Sequence, residues 1–294
     1  MKKFITKAIL FVMLVSLVVT LAVGLTACGS KKDPDKLYVG LECAYSPFNY
    51  TQRDDSNGAV QIYNTNYRAI SRSYANGYDV MIAKQIAEAL GKELVVVKMD
   101  FNALIPAVQA GTVDLIIAGM SPTAKRKEEI DFSDAYYQSN LVLVVRKDGD
   151  FANATSLSQF KGANIVAQEG TFHNDALQAE AKKYEYTAKT PLSDFAALIN
   201  ALKTKAVDAY VAEEPGAIEN CASNPEFTYI HLKNNDTGFI ATDEDTAIAV
   251  GIKKGSELTA KVNQILASIS QEQRDQFMNE AIRLASGSNI VPEE

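Results

Sequence analysis

From Leu37 to Ile290, short apolar runs alternate with segments whose apolar residues return at helical spacing, the pattern of parallel strands covered by helices. Leu37–Leu41 predicts the first strand. Ile82, Ile86 and Leu90 share one face of a helix that Asp79 is placed to cap and Gly91 to stop. Leu94–Lys98 then predicts a strand, Asn102–Ala110 a helix ended by Gly111, and Val113–Ala118 a third strand, which completes a βαβαβ lobe.

The architecture occurs twice. Phe101–Ile117 lies over Phe195–Val211 at an offset of 94 residues, with seven of seventeen positions identical, among them Phe101 with Phe195 and Asp114 with Asp208. A helix-turn-buried-strand unit selects such residues by itself, so the match means two similar lobes whether or not it records a duplication. In open parallel sheets ligands sit beyond the carboxyl ends of the strands. Those ends are Gly119-Met120-Ser121 in one lobe and Glu213-Glu214-Pro215 in the other, so two loops face one cleft. Leu141–Arg146 reads as a strand leaving the first lobe and Thr246–Ile252 as one returning, two crossings on which the lobes hinge. Asn263–Ala285 is a helical tail expected on the first lobe.

The first residues follow another pattern. Lys2, Lys3 and Lys7 precede an apolar run from Ala8 to Gly24, the layout of an export signal. Its 17 residues are at the short end of a membrane span, and Leu25-Thr26-Ala27-Cys28 closes it with small residues before a cysteine. These four residues resemble the bacterial lipoprotein box, which implies cleavage before Cys28 and lipid on its thiol. Gly29–Lys36 is small, charged and contains a proline, the composition of a flexible tether. The expected division is a leader at 1–27, a tether at 28–36, a first lobe of 37–140 with 247–294, and a second lobe of 141–246.

Charge and cysteine content narrow the partners. The chain carries a formal charge of −7, and without the leader's lysines −10, which argues against nucleic acid. Cys43 and Cys221 fall in opposite lobes, where a bridge would lock a cleft that has to open, so they are expected to be free. With two histidines and no cysteine cluster, no metal and no cofactor are expected.

The residues Tyr45-Ser46-Pro47-Phe48, Gly77-Tyr78-Asp79-Val80, Leu104-Ile105-Pro106-Ala107, Asp114–Ser121, Arg126, Asp131-Phe132-Ser133, Tyr136-Tyr137, Gly170-Thr171, Val207-Asp208-Ala209 and Glu214-Pro215 appear in an order that resembles the polar amino-acid solute-binding proteins of ABC transporters. The ordered set, spread over nearly the whole chain after the leader, is what carries the resemblance. It implies an α/β fold of the periplasmic-binding-protein-like type II class, two βαβ lobes joined by two hinge crossings. It further implies a monomer lipid-anchored on the outer face of the cell membrane that hands its ligand to the transmembrane subunits of an ABC permease.

A zwitterion stripped of water needs donors at one pole and acceptors at the other. The resemblance points to Arg126, the Ser121 hydroxyl and backbone N–H groups near Ser121 and Thr171 for the carboxylate. Glu213, where the family usually carries aspartate, and the Gly119 carbonyl would take the ammonium. Tyr45, Phe48 and Phe101 would wall the ligand, and Met120, Gly170 and Phe172 complete the expected site. Glu42, after the first strand, would face the ligand's distal end and favour a basic side chain: arginine or lysine, or else cystine or glutamine. Each residue has a plainer reading. Arg126 lies in the charge run Lys125–Glu129, Ser121 and Thr171 are ordinary helix caps, Phe101 fits a core, and Glu213-Glu214 fits a surface.

The segment Tyr50–Asn76, with Tyr63, Tyr67, Arg68, Arg72 and Tyr74, is longer than the hairpin the family needs there and reads as part of the pocket mouth or as a surface excursion. Two other functions compete. An exported cyclohexadienyl or arogenate dehydratase would use the same scaffold with Glu213 or His173 as general acid, although no nucleophile–base pair, phosphate loop or metal set is visible. A surface sensor or adhesion module would need a signalling segment beyond the lobes.

Overall fold

The structure, a computed structural model, describes residues 32–287. The leader and Cys28 lie outside the described residues. The backbone is already anchored at Asp33, ahead of the expected start at Leu37, because its amide donates to the Tyr38 hydroxyl at 3.0 Å.

Two sheets organise the body. The first runs β2 (Ala44–Tyr45), β3 (Asn49–Gln52), β5 (Ala69–Asn76), β4 (Val60–Tyr63), β6 (Glu93–Lys98), β1 (Lys36–Leu41), β7 (Leu115–Ile116), β14 (Ala247–Ile252) and β8 (Asp131–Gln138). The second runs β11 (Thr187–Ala188), β10 (Asn164–Val166), β12 (Ala209–Glu213), β9 (Leu141–Arg146) and β13 (Phe227–Ile230). The five strands β6-β1-β7-β14-β8 of the first have the same arrangement as the whole of the second. In each, the leading strand sits between two parallel neighbours, and an antiparallel strand follows on one side. The central strands β1, β7, β9, β12 and β14 are apolar and buried along nearly their whole length, as strands covered on both faces require.

The internal repeat extends to single hydrogen bonds. Asp114 and Tyr38 exchange two: the Asp114 amide donates to the Tyr38 carbonyl at 2.7 Å, and the Tyr38 amide donates to Asp114 Oδ2 at 2.9 Å. Asp208, ninety-four residues after Asp114, makes the same pair of bonds with Asn164 at 2.8 and 2.8 Å. Each aspartate thus fastens the start of its strand to the leading strand beside it. The turns before them also match: Gly111 and Lys205 both stand in the left-handed region, at φ +75° and +60°.

Four expectations change. Asp79 does not cap the helix Tyr78–Ala89; Gly77 holds that position, and the Tyr78 and Asp79 amides donate to the carbonyls of Pro47 and Phe48. That leaves the Asp79 carboxylate free to turn inward. The expected strand Val113–Ala118 keeps only Leu115–Ile116 in ladder geometry. Segment 50–76 is no loop, since β3, β4 and β5 extend the first sheet beyond β6. The tail is two helices, Leu258–Ser268 and Gln271–Gly287, and the second packs on Glu214–Ser223, beside the second sheet, as well as on Tyr78–Ala89. Cys43 and Cys221 are free thiols.

The chain passes between the sheets from β8 to β9 and returns into β14. These crossings lie side by side, with the Ser139 amide donating to the Thr246 carbonyl at 3.0 Å and Gln138 Nε2 to Thr246 Oγ1 at 2.7 Å.

The two left-handed turn residues give a matched test. A non-glycine residue there costs about 1 kcal/mol in backbone strain, so Lys205→Gly is expected to raise the melting temperature by roughly 2–4 °C, its exposed ion pair with Asp148 contributing little. Gly111→Ala, whose added Cβ meets nothing within 4 Å, is expected to lower it by a similar amount; differential scanning calorimetry reads both.

Candidate functional site

The carboxyl ends of the two sets of parallel strands converge on a narrow cavity whose free space is about 20 Å³. It is lined by Glu42, Tyr45, Phe101, Ala118, Gly119 and Ser121 from the first half of the chain and by Gln168, Thr171, Phe172, His173, Phe195 and Glu213 from the second. Eight of the twelve expected ligand residues are therefore on its wall. Phe48, Met120, Arg126 and Gly170 are not. Phe48 and Met120 are core residues, Phe48 lying behind Tyr45 with ring centroids 4.9 Å apart. Segment 50–76 contributes no residue to the wall.

Arg126 stands immediately behind that wall. Thr123 caps its short helix, Ala124–Glu129, and the guanidinium reaches back so that Nη1 donates to the Ser121 carbonyl at 2.8 Å and Nη2 to the Gly170 carbonyl at 2.9 Å. It lies 5.3 Å from the centre of the Phe101 ring, which gains from the charge above its face. Arg126 thus ties the Ser121 loop to the Gly170 loop, one from each half. Burial draws its pKa down to about 10, which leaves it cationic at neutral pH.

Gly119 follows the first half's third strand at φ +60°, and a Cβ there would stand 2.9 Å from Tyr45 Cε1. The loop is backed by Asp79, fully buried, which accepts from Asn49 Nδ2 at 2.8 Å, from the Tyr136 hydroxyl at 2.7 Å and from the Gly119 amide. Even with three donors, removal from water pushes its pKa up to about 7. On the other side, Thr171 caps the helix Phe172–Tyr184, accepting from the Asn174 amide and donating to the Gln168 carbonyl at 2.7 Å. Its plain role as a cap and its place on the wall coexist.

Two carboxyl groups face the cavity. Glu42 is buried and accepts from Gln168 Nε2 at 2.8 Å, while the same amide also donates to the Ser193 carbonyl. Burial raises its pKa to about 7, with Asp194 and Asp100 raising it further and Lys98 opposing. Glu213 meets His173 Nε2 at 2.8 Å through Oε1, and its Oε2 is buried without a partner. Burial pushes Glu213 up to about 8 and His173 down to about 3, the imidazole also feeling the charge of Arg126. The Tyr45 hydroxyl is likewise buried and unpaired.

Sequence reasoning missed Gln168, Phe195 and Ala118, and it named His173 only as a possible acid. Phe195 stacks on Tyr45 with centroids 4.3 Å apart, so Tyr45 lies between Phe48 and Phe195. The signal for Phe195 was present, since it is the repeat partner of Phe101.

Residues 37–280 match the model of the bacterial extracellular solute-binding proteins, family 3. The arginine-binding extracellular protein ArtP of Bacillus subtilis (strain 168) is 31% identical over 264 residues, 86% of this chain and 89% of the relative. The ABC transporter glutamine-binding protein GlnH of the same organism is 28% identical over 275 residues, 85% of this chain and 88% of the relative. A crystal structure of an amino-acid ABC transporter substrate-binding protein from Streptococcus pneumoniae bound to L-arginine superposes with a TM-score of 0.72 at 26% identity, covering 87% of this chain and 96% of that one.

Four buried acids with raised pKa values set a pH dependence. Glu42, Asp79 and Glu213 bind protons in the folded state that they have released when unfolded, so their contribution is full below the ordinary carboxylate range and is lost as pH rises through about 7 to 8. Burial raises Glu219 in the same direction, and His173, which works the other way below its ordinary pKa, is one group against four. Thermal melts of the ligand-free protein are expected to fall steadily from pH 5 to pH 8.5, and Glu213→Gln is expected to flatten the slope. Among the described residues no helix is long and apolar enough to cross a membrane. The relatives are transporter binding proteins rather than enzymes, the fold is their two-lobed one, and the chain belongs to the bacterial extracellular solute-binding proteins, family 3.

Proposed function

We propose that this chain captures an amino acid with a cationic side chain, arginine foremost, and delivers it to the transmembrane subunits of an ABC importer. The observation that carries the reading is a charge count: two carboxyl groups, Glu42 and Glu213, open on one small cavity with one guanidinium, Arg126, behind its wall. Arginine brings the complement, one carboxylate and two cations, so each pole can be paired when water is expelled. Asp100 and Asp194 near Glu42 deepen the negative field at that end. The rings of Tyr45, Phe101 and Phe195 give the wall an apolar lining that excludes water around the charges.

In this reading Arg126 and Ser121 receive the ligand carboxylate, Glu213 and the Gly119 carbonyl the α-ammonium, and Glu42 the side-chain cation. Thr171 and Phe172 close the wall, and Gly170 and Met120 hold the loops behind it. The names of the relatives support a basic or amide ligand, since one is described as arginine-binding and another as glutamine-binding. Glutamine is the second reading, favoured by the raised pKa of Glu42, which lets a protonated carboxyl group face a neutral amide.

The protein acts as a monomer anchored outside the membrane through lipid on Cys28, with 1–27 as the removed leader and 28–36 as the tether. The first lobe comprises 37–140 and 247–294 and the second 141–246, a division supported by the passage between sheets after β8 and before β14. The basic n-region, the apolar run and Leu25-Thr26-Ala27-Cys28 support the anchor. A Cys28→Ser variant is expected to leave the membrane fraction, and a Cys28 peptide without added lipid mass in the wild type would refute the anchor.

Calorimetry with arginine, lysine, histidine, glutamine and cystine tests the ligand. Arg126→Ala is expected to lose about 2–5 kcal/mol, roughly thirtyfold to a few thousandfold in Kd, for every amino acid bound. Glu42→Gln is expected to weaken arginine by about tenfold to a hundredfold and to leave glutamine unchanged. Equal loss for both ligands would remove Glu42 from contact with the side chain.

A further inference from the structure

Glu213 ends β12 and occupies the position before the helix Glu214–Ser223, where a side-chain oxygen ordinarily caps the first amides. Its carboxyl group makes no such cap bond and is turned into the cavity instead. A flexible acid withdrawn from its cap and from water needs another support. His173, in the first turn of the helix Phe172–Tyr184, supplies it: Nε2 stands 2.8 Å from Oε1, and both side chains are more than nine-tenths buried. The second oxygen, Oε2, is equally buried and has no partner.

We propose that His173 is the positioning residue of the ligand's ammonium site: by holding one oxygen of Glu213 it fixes the carboxylate so that the other oxygen serves the α-ammonium. The proposal rests on the reading of Glu213 given above. Three features favour it. Both residues belong to the half of the molecule built on the second sheet, on elements that follow the adjacent strands β10 and β12, so their contact does not depend on the other half. The imidazole is itself held, its ring meeting Phe195 edge-on with centroids 6.2 Å apart and planes at 89°. Finally, a neutral imidazole donates an N–H without bringing a charge, so once the ligand's ammonium draws off the proton that burial keeps on Glu213, the carboxylate is oriented while its charge remains for the ligand. A lysine or arginine at the same place would orient it and neutralise it together.

The test uses the full chain and isothermal titration with L-arginine, or with whichever amino acid of the panel the wild type binds. Glu213→Gln is expected to weaken binding at least thirtyfold. His173→Phe, which fills the space without a donor, is expected to weaken it about tenfold or more, and His173→Gln, which returns an N–H near the same place, to recover most of that loss. In a Glu213→Gln background, His173→Phe is expected to change Kd by no more than about twofold. Against the ligand's analogue lacking the α-amino group, His173→Phe is expected to have no effect, which a packing role would not produce. If His173→Phe does not fold, the comparison is made with His173→Leu and His173→Gln.

Unchanged affinity in His173→Phe, additive losses in the double variant, or equal loss for the analogue would overturn the proposal while leaving Glu213 in place. Failure of the wild type to bind any amino acid would overturn both it and the reading beneath it.

Discussion

A carboxylate removed from water must be given donors or a cation, and the site is arranged around three acids that meet this requirement in different ways. Asp79 takes three donors, from Asn49, Tyr136 and the Gly119 amide, and by doing so joins the first helix, the strand β8 and the site loop. Glu42 and Glu213 take fewer, Glu42 from Gln168 and Glu213 from His173 and its own backbone amide. The fully supplied acid is structural. The two partly supplied ones face the cavity, and the deficit in their bonding is what the proposed cationic guest would fill.

The same requirement explains why the cavity's walls come from both halves of the chain. Glu42 follows β1, while its donor Gln168 follows β10 in the other sheet. Arg126 likewise spans from the Ser121 carbonyl to that of Gly170. These polar links across the cleft are few and short, and the apolar stack of Phe48, Tyr45 and Phe195 lies among them. The aromatic rings exclude water, which strengthens each charge-assisted bond around them.

Much of this was legible in the sequence because the units are local. A helix, a left-handed turn and a buried strand are specified within about twenty residues, so the repeat of Phe101–Ile117 at Phe195–Val211 showed two similar lobes and the strand ends that face one cleft. Asp79 was misread because an aspartate at the start of an apolar helix looks like a cap, and only tertiary burial shows that carbonyls of Pro47 and Phe48 have taken that task. Gln168 and His173 carry no local signal at all; their meaning lies in carboxylates far away in sequence, 126 residues off in the case of Gln168. Segment 50–76 reads in the sequence as pocket mouth or surface excursion because its polar residues hide the alternation, yet β4 pairs with β6 and its Ile62 is fully buried.

The stitching of the two crossings has a mechanical meaning. Because Ser139 and Thr246 are bonded to each other and Gln138 grips the same threonine, the two crossings are tied into one doubled strap rather than left as separate strands of chain. Two separate cords would let the sheets slide past one another as well as swing; a fused pair resists sliding and leaves swinging as the soft direction. On the expected hinge, grip and release at the cleft would be opposite senses of one rotation, and a substitution at Thr246 would be felt some distance from any atom that touches the proposed guest.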